Sequence, residues 1–462
     1  MSKEKIKEFF KSKFVILGLI YALVFLISSY FKYLEILLIP IMIYAFIVLD
    51  VEQDFYFFLF TQPFYTSQFL LRPAIISEVI YMVIFLVKFI IGVKNKKYKL
   101  YKKLGILIAA FTAYSLFISL FHKMAVYSIS YIFYLPIFYI VFCTREEYKI
   151  ERITRVISAS LIFSCVVSLG MLPISSRETC YRIVDGAFRF RGFYGSANTL
   201  YMTALLGLSC YMYLYFKGKV GFAEYISMFF VLAGLSISTS SKANLVILAA
   251  ITFISVICYL KQNFKKNIVQ ILIAGGLGAL VLIIFKDFTM SLISRFTSVD
   301  SGNFLNSLST GRTDIWIAYL KEIFENPFDC LFGHGMLSKY AYVPEQMQDR
   351  AQHNLYIFLL YKFGFVGIIF LFYIMWQFIK VSNKTRPMFI NLIPLIYFLI
   401  GAMVDNSFMY PQFYIVVAFA MFNTKNKTHN IKDAEADEKP KDDMIENKNQ
   451  IISWQNNFYV LE

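Results

Sequence analysis

With 462 residues, 58% of them hydrophobic and 19% aromatic, the chain carries more apolar surface than a water-soluble fold can bury. Its net charge of +15 would suggest nucleic acid in a soluble protein. Here the basic residues are dispersed between apolar runs as in membrane loops, which excludes a nucleic-acid patch.

The predicted elements follow the apolar runs. Residues 14–31, 34–50, 74–93, 104–121, 125–143, 156–172, 197–216, 222–238, 242–260, 268–285, 355–379, 388–404 and 409–423 are each long and apolar enough to approach or span about 30 Å of hydrocarbon. The first run has a lysine-rich start but no small-residue cleavage site, and leads into another, so it reads as a retained span. Positive clusters lie at Lys3–Lys13, Lys94–Lys103, Arg145–Arg155, Lys217–Lys219, Lys261–Lys266 and Lys380–Arg386, the alternation expected of cytoplasmic loops.

Phe55 to Leu71 is aromatic but interrupted by Thr61-Gln62-Pro63 and Thr66-Ser67-Gln68. If it crosses, as a broken span, the basic loops fall on one side and there are about fourteen spans; a re-entrant hairpin is the alternative. The expected fold is therefore all-α: a polytopic helical membrane unit over 1–423 with 12–14 transmembrane helices. Both termini are then cytoplasmic, and two loops, 173–196 and the large 286–353, face outward. The polar tail 424–462 is expected to be disordered. Charges inside the apolar runs, Glu35, Glu78, Lys88 and Lys362, need a partner, a cavity or a route to the headgroups.

The outward loops hold positive residues against the usual bias: Arg177, Arg182, Arg189 and Arg191 in the first, Arg295, Arg312, Lys321, Lys339 and Arg350 in the second. An anionic ligand at that face accounts for the set, since a guanidinium pairs two phosphate oxygens at once. Residues 312–326 read as an amphipathic helix, with Ile315, Trp316, Tyr319, Leu320, Ile323 and Phe324 at helical spacing and Asn326-Pro327 as its stop. It is expected to lie on the outer surface, with Trp316 and Tyr319 in the headgroup layer and Arg312 presented from its first turn. Six cysteines show no metal-ligand spacing. Cys180 and Cys330 both fall in outward loops, so a disulfide between them is one expectation.

Gly311-Arg312, Trp316, Asn326-Pro327, Gly333-His334-Gly335, and His353-Asn354 followed by Gly364 and Gly367 together resemble the signature of the O-antigen ligase and Wzy-type polymerase superfamily. Upstream, Arg189 or Arg191 with Gly192 and Asn198, and Ser238 to Lys242 with lysine replacing the usual arginine, resemble two further elements. The resemblance implies a GT-C-like fold and glycosyl transfer without metal or other cofactor on the outer face of the cytoplasmic membrane. The substrates it implies are undecaprenyl-diphosphate-linked oligosaccharides as donor and acceptor, with membrane lipid around them and partners of the chain-length-regulator and flippase kind. In that reading His353 is the base or acceptor-orienting group and Arg312 its catalytic companion. Arg189, Arg191, Asn198, Lys242, Arg295 and Asn354 bind substrate. The same residues serve polymerase and ligase; the resemblance makes a polymerase of lipid-linked repeat units the first expectation, a ligase transferring glycan to a lipid A-core or other acceptor the alternative, and a lipid-linked sugar transporter or flippase the alternative of another class.

Overall fold

The computed structural model describes residues 12–28, 31–65, 73–121, 129–171, 180–184, 187–194, 196–262, 312–335, 354–382 and 393–403, with scattered positions between 268 and 290. The chain divides into two units, Met1–Thr424 and Lys425–Glu462, and all described residues belong to the first. The expected spans 268–285 and 409–423 and the polar tail lie outside the described residues, wholly or in most positions.

The described residues are helical but for one hairpin. The helices are α1 (Lys13–Ser28), α2 (Leu38–Val48, after a 3-10 turn Lys32–Leu37), α3 (Val51–Tyr65), α4 (Pro73–Lys94), α5 (Lys102–Phe121), α6 (Ile129–Cys143) and α7 (Ile150–Gly170). The hairpin is β1 (Tyr181–Val184) with β2 (Ala187–Phe190). Then follow α8 (Ala197–Phe216), α9 (Phe222–Ile237), α10 (Lys242–Gln262), α11 (Arg312–Glu325), α12 (Pro327–Phe332), α13 (Leu355–Ser382) and α14 (Ile393–Ala402). Among the described residues, four segments are long and apolar enough to cross a bilayer by length and composition: Lys102–Leu120, Ile150–Gly170, Ala197–Phe216 and Leu355–Gln377. Shorter apolar helices include Lys13–Ser28, Tyr33–Val48, Phe222–Ile237 and Asn244–Ile257. The protein is an all-α polytopic membrane protein.

α8 is the central post, buried along nearly its whole length. Such a helix needs small residues where neighbours cross it. A Cβ at Gly207 would stand 3.3 Å from both Leu232 on α9 and Ser158 on α7, so this glycine lets the three backbones close up.

Ion pairs mark one end of the bundle: Arg155–Glu224 at 3.1 Å, Lys97–Glu147 at 3.1 Å, Arg152–Glu52 at 3.5 Å and Lys219–Glu151 at 3.6 Å. These pairs are partly exposed and each adds little stability. Together they tie the loops between spans into one basic, cross-linked end.

Of the aromatic segment Phe55 to Leu71, the part to Tyr65 belongs to α3, and residues 66–71 lie outside the described residues. α3 is one helix, buried from Asp54 to Phe64, with Pro63 inside it. The Thr61 hydroxyl bonds back to Phe57 O at 2.8 Å. At one end, Tyr56 Oη accepts from Lys149 N at 3.3 Å and Glu52 meets Arg152. At the other, Phe64 packs on Phe193 beyond the hairpin, with ring centroids 5.7 Å apart. α3 thus runs from the basic end to the hairpin end. Lys88 on α4 does not rely on reaching the headgroups: it pairs with Asp54 of α3 and donates to Leu49 O at 2.6 Å.

Two expectations are overturned. Cys180 and Cys330 are not disulfide-bonded to each other; Cys180 is buried and its Sγ donates to Ser168 O at 3.3 Å. Nor does the amphipathic helix place Tyr319 among headgroups. Tyr319 is fully buried, edge-on to Tyr361 of α13 at 5.0 Å, and Ile315 and Ile323 join it in a small core with Ile357. The i, i+4, i+8 row that looks interfacial in sequence is a packing seam between helices.

Candidate functional site

The hairpin carries the first group of polar residues. β1 and β2 pair antiparallel with Tyr181 opposite Phe190 and Arg182 opposite Arg189. Beyond the strands, Arg191 N donates to Cys180 O at 2.9 Å, and Gly192 turns the chain at φ +55° against Ser168 and Cys165 near the end of α7. Ser196 then caps α8, its hydroxyl accepting from Thr199 N at 3.1 Å.

From this frame the Arg189 guanidinium donates through Nε to Thr239 O and through Nη2 to Asn198 Oδ1, both at 3.0 Å. Phe190 N donates to Ser238 O at 3.2 Å. Three stretches far apart in sequence are thereby joined: the hairpin, the first turn of α8 and the turn between α9 and α10. That turn is tightly wound. Ser240 has φ +50°, Thr239 Oγ1 donates to Ser236 O at 2.7 Å, and the Asn244 side chain holds Ser236 from inside α10. Lys242 is the first residue of α10. A cation there opposes the helix macrodipole, so an anion bound nearby would gain from both the ammonium and the helix end.

The second group stands on α11 and α13. Arg312 opens α11 and is half-buried. Asn354 caps α13, its Oδ1 accepting from Tyr356 N at 3.0 Å and Ile357 N at 3.2 Å. The two helices run in the same direction: Tyr319 meets Tyr361, and Phe324 meets Phe365 with centroids 6.4 Å apart. Carrying that register back at one rise per residue brings Arg312 level with Asn354.

The glycine motifs do structural work here. Gly364 breaks α13 with φ +61° and ψ −174°, a conformation open essentially to glycine alone. The carbonyls freed by the break are taken by the Gly333-His334-Gly335 turn: His334 N donates to Tyr361 O at 2.8 Å and Gly335 N to Lys362 O at 2.9 Å. Gly333 and Gly335 also have positive φ, at +77° and +68°. The His334 ring is buried flat on Tyr361 at 4.2 Å, its Nε2 3.5 Å from Asp329 and 3.8 Å from Glu322. Burial, with Glu325 and Asp329 nearby, raises the Glu322 carboxyl above the usual range. Sequence reasoning missed Tyr114 on α5, whose hydroxyl donates to Phe332 O at 2.9 Å and Phe363 O at 2.7 Å. No pattern around Tyr114 distinguishes it from the other aromatic residues of its span.

α14 ties the two groups together. Tyr356 Oη donates to Leu399 O at 3.0 Å, and Tyr397 Oη donates to Met202 O at 2.6 Å, one turn beyond Asn198 on α8. The starts of α8 and α13 therefore lie near one level of the bundle, at the end opposite the ion-paired basic loops. The structure brings Arg189, Arg191, Asn198, Lys242, Arg312 and Asn354 to that end. His353 and Arg295 lie outside the described residues. Asn198 and Asn354 each commit the side-chain oxygen to the protein, one to Arg189 and one to the α13 cap.

Fold and site together define a helical membrane protein with cationic groups gathered at one end of the bundle. Residues 226–372 match the family model described as O-antigen ligase, Wzy_C. Over that stretch the chain is similar to the broad O-antigen ligase/polymerase type, a glycosyltransferase-like class. The matched stretch includes the 238–241 turn, Lys242, Arg312, the Gly333–Gly335 turn and the α13 break, but not the hairpin. No curated protein matches the chain.

Proposed function

We propose that this protein is a polymerase: it joins undecaprenyl-diphosphate-linked oligosaccharide repeat units into O-antigen, capsular or exopolysaccharide chains. The reaction is metal-independent glycosyl transfer on a GT-C-like bundle, at the outward face of the bacterial cytoplasmic membrane. The observation that carries the reading is the gathering of Arg189, Lys242 and Arg312 with the α13 cap at the end opposite the ion-paired basic loops. The positive-inside rule makes those basic loops cytoplasmic and the site outward.

In this reading His353, next to the cap residue Asn354, takes the proton of the acceptor sugar hydroxyl. The hydroxyl oxygen bonds to the anomeric carbon of the donor, whose bond to the lipid diphosphate breaks. The electron pair leaves on the diphosphate, where Arg312, Arg189, Arg191, Lys242 and Arg295 stabilise it. Asn198 positions Arg189 through its side-chain oxygen. Asn354 orients the start of α13 and has its amide nitrogen to offer the acceptor or His353. Chain-length regulators and flippases are the partners this role calls for.

One finding favours a second reading: the matching family model is described as a ligase. A ligase would move a finished glycan from the same lipid carrier to a lipid A-core or other acceptor with the same groups. Purified protein in vesicles with lipid-linked repeat units alone separates the alternatives. A ladder of products without an energy source supports polymerase; product formed only after an acceptor lipid is added supports ligase. Unchanged glycan carried across the bilayer would overturn both in favour of transport.

A further inference from the structure

The segment from Arg312 to Gly335 is built as an arm that runs down beside a span. α11 lies parallel to α13, with Ile315, Tyr319 and Phe324 level with Ile357, Tyr361 and Phe365. From Asn354 to Phe365, α13 advances roughly 16 Å. The far end of the arm is held at the same depth by an independent contact. Phe332 O is bonded by Tyr114 well inside α5, a helix long enough to cross a bilayer, and a Cβ at Gly335 would fall against the backbone of Ser119 on the same helix.

Viewed down its axis, α11 has three sides. Ile315, Tyr319 and Ile323 face the protein core. Ile317 and Phe324, 59% and 57% exposed, point within about 20° of each other on a second side. Asp314, Lys321 and Glu325 occupy a third, exposed side, with Lys321 and Glu325 ion-paired at 3.7 Å. The apolar side does not stop at α11. Phe324 meets Phe365, and from there Ile369, Phe372 and Trp376 continue one exposed row along α13 at helical spacing, the row a span turns to lipid. Exposed Phe328 and Leu331 extend the apolar surface onto α12.

We propose that residues 312–335 form a re-entrant membrane arm: the Ile317/Phe324 side is solvated by acyl chains of the leaflet at the hairpin end, while the Asp314/Lys321/Glu325 side lines a water-filled recess at the same depth. Charged groups left in hydrocarbon carry a large penalty, and irregular backbone at membrane depth persists only where protein or water covers it. The arm meets both conditions, because the break at Gly364 and the Gly333–Gly335 turn satisfy each other's main chain. It is then a partition between lipid and water, with Arg312 at its outer edge. The inference rests on packing and the membrane setting and is independent of the reaction catalysed.

Spin labels test it in the full chain reconstituted in phosphatidylethanolamine/phosphatidylglycerol vesicles. Single sites Ile317→Cys, Phe324→Cys, Lys321→Cys and Glu325→Cys are made in a Cys258→Ser, Cys330→Ser background, the other cysteines being buried. Labels at 317 and 324 should collide with oxygen severalfold more than with a water-soluble nickel chelate. Labels at 321 and 325 should show the reverse. Chelate-dominated collisions at all four sites would put the arm in water and overturn the proposal. Oxygen-dominated collisions at all four would remove the recess and overturn it too. Protection of 317 and 324 from both reagents would mean that protein covers that side, which also overturns it.

Discussion

The break in α13 offers a sharp perturbation. Gly364→Ala places a Cβ on a residue at φ +61°, ψ −174°, 2.6 Å from Gly333 N, with the Leu331 carbonyl also in its path. Forcing an L side chain into that region costs about 1–3 kcal/mol. If the backbone relaxes instead, the two main-chain bonds from His334 and Gly335 are lost, each contributing about 0.5–1.5 kcal/mol. By either route the loss is about 1–3 kcal/mol, and it falls first on the docking of the arm rather than on the bundle. The assay is thermal unfolding in detergent with, in parallel, the rate of thiol labelling at Cys330, which is half-buried on α12. Gly364→Ala should lower the melting temperature and speed labelling. Gly234→Ala, on an exposed face of α9 with nothing within 4 Å of the added Cβ, should leave both unchanged or stabilise slightly. Wild-type melting and labelling in Gly364→Ala would refute the account of the break.

Other consequences are checked similarly. Arg189→Ala leaves Asn198 Oδ1 and Thr239 O without their guanidinium donor and should cost about 2–4 kcal/mol in unfolding stability together with most product formation, whereas Asn198→Ala should lose less of both. Glu322 titrates above its ordinary value when folded, so the folded state holds its proton more tightly than the unfolded chain. Its contribution to stability is then full below about pH 4.5 and is lost as pH rises through the folded value. Glu322→Gln should therefore raise the melting temperature at pH 7 and change it little at pH 4; an equal shift at both would contradict the assignment. Cys180 and Cys330, not disulfide-bonded, should give identical mobility on reducing and non-reducing gels in wild type and in Cys180→Ser.

Much of the bundle was legible because a helix in lipid satisfies its own backbone, so an uninterrupted apolar run already implies the element. The start of α11 at Arg312 and its stop at Asn326-Pro327 followed from local signals: Asn326 Oδ1 accepts from Phe328 N at 3.0 Å and Pro327 opens α12. What could not be read was anything decided by a distant partner. Tyr319 on its stripe fits a headgroup layer and a helix seam equally, and only Tyr361 decides between them. Pro63 looks like an interruption, yet the surrounding aromatic packing and the Thr61 back-bond carry α3 through it. Gly364 reads as a close-packing glycine and is one, against the Leu331 and Gly333 backbone, but its positive φ, which makes it also a break receiving the Gly333–Gly335 turn, carries no sign in the sequence. Asp185-Gly186 between two apolar-rich stretches was a usable hairpin signal. The partners of Arg189 carried no local sign, because Thr239 lies far along the chain.

The central proposal is that the imidazole of His353, one residue before the α13 cap in sequence, readies a sugar hydroxyl while cationic groups from α10, α11 and the hairpin receive the departing lipid diphosphate. The direct measurement is the glycan made by cells producing His353→Ala at wild-type levels in the membrane. The account predicts single repeat units accumulating on the lipid carrier; polymer of normal length and amount would contradict it.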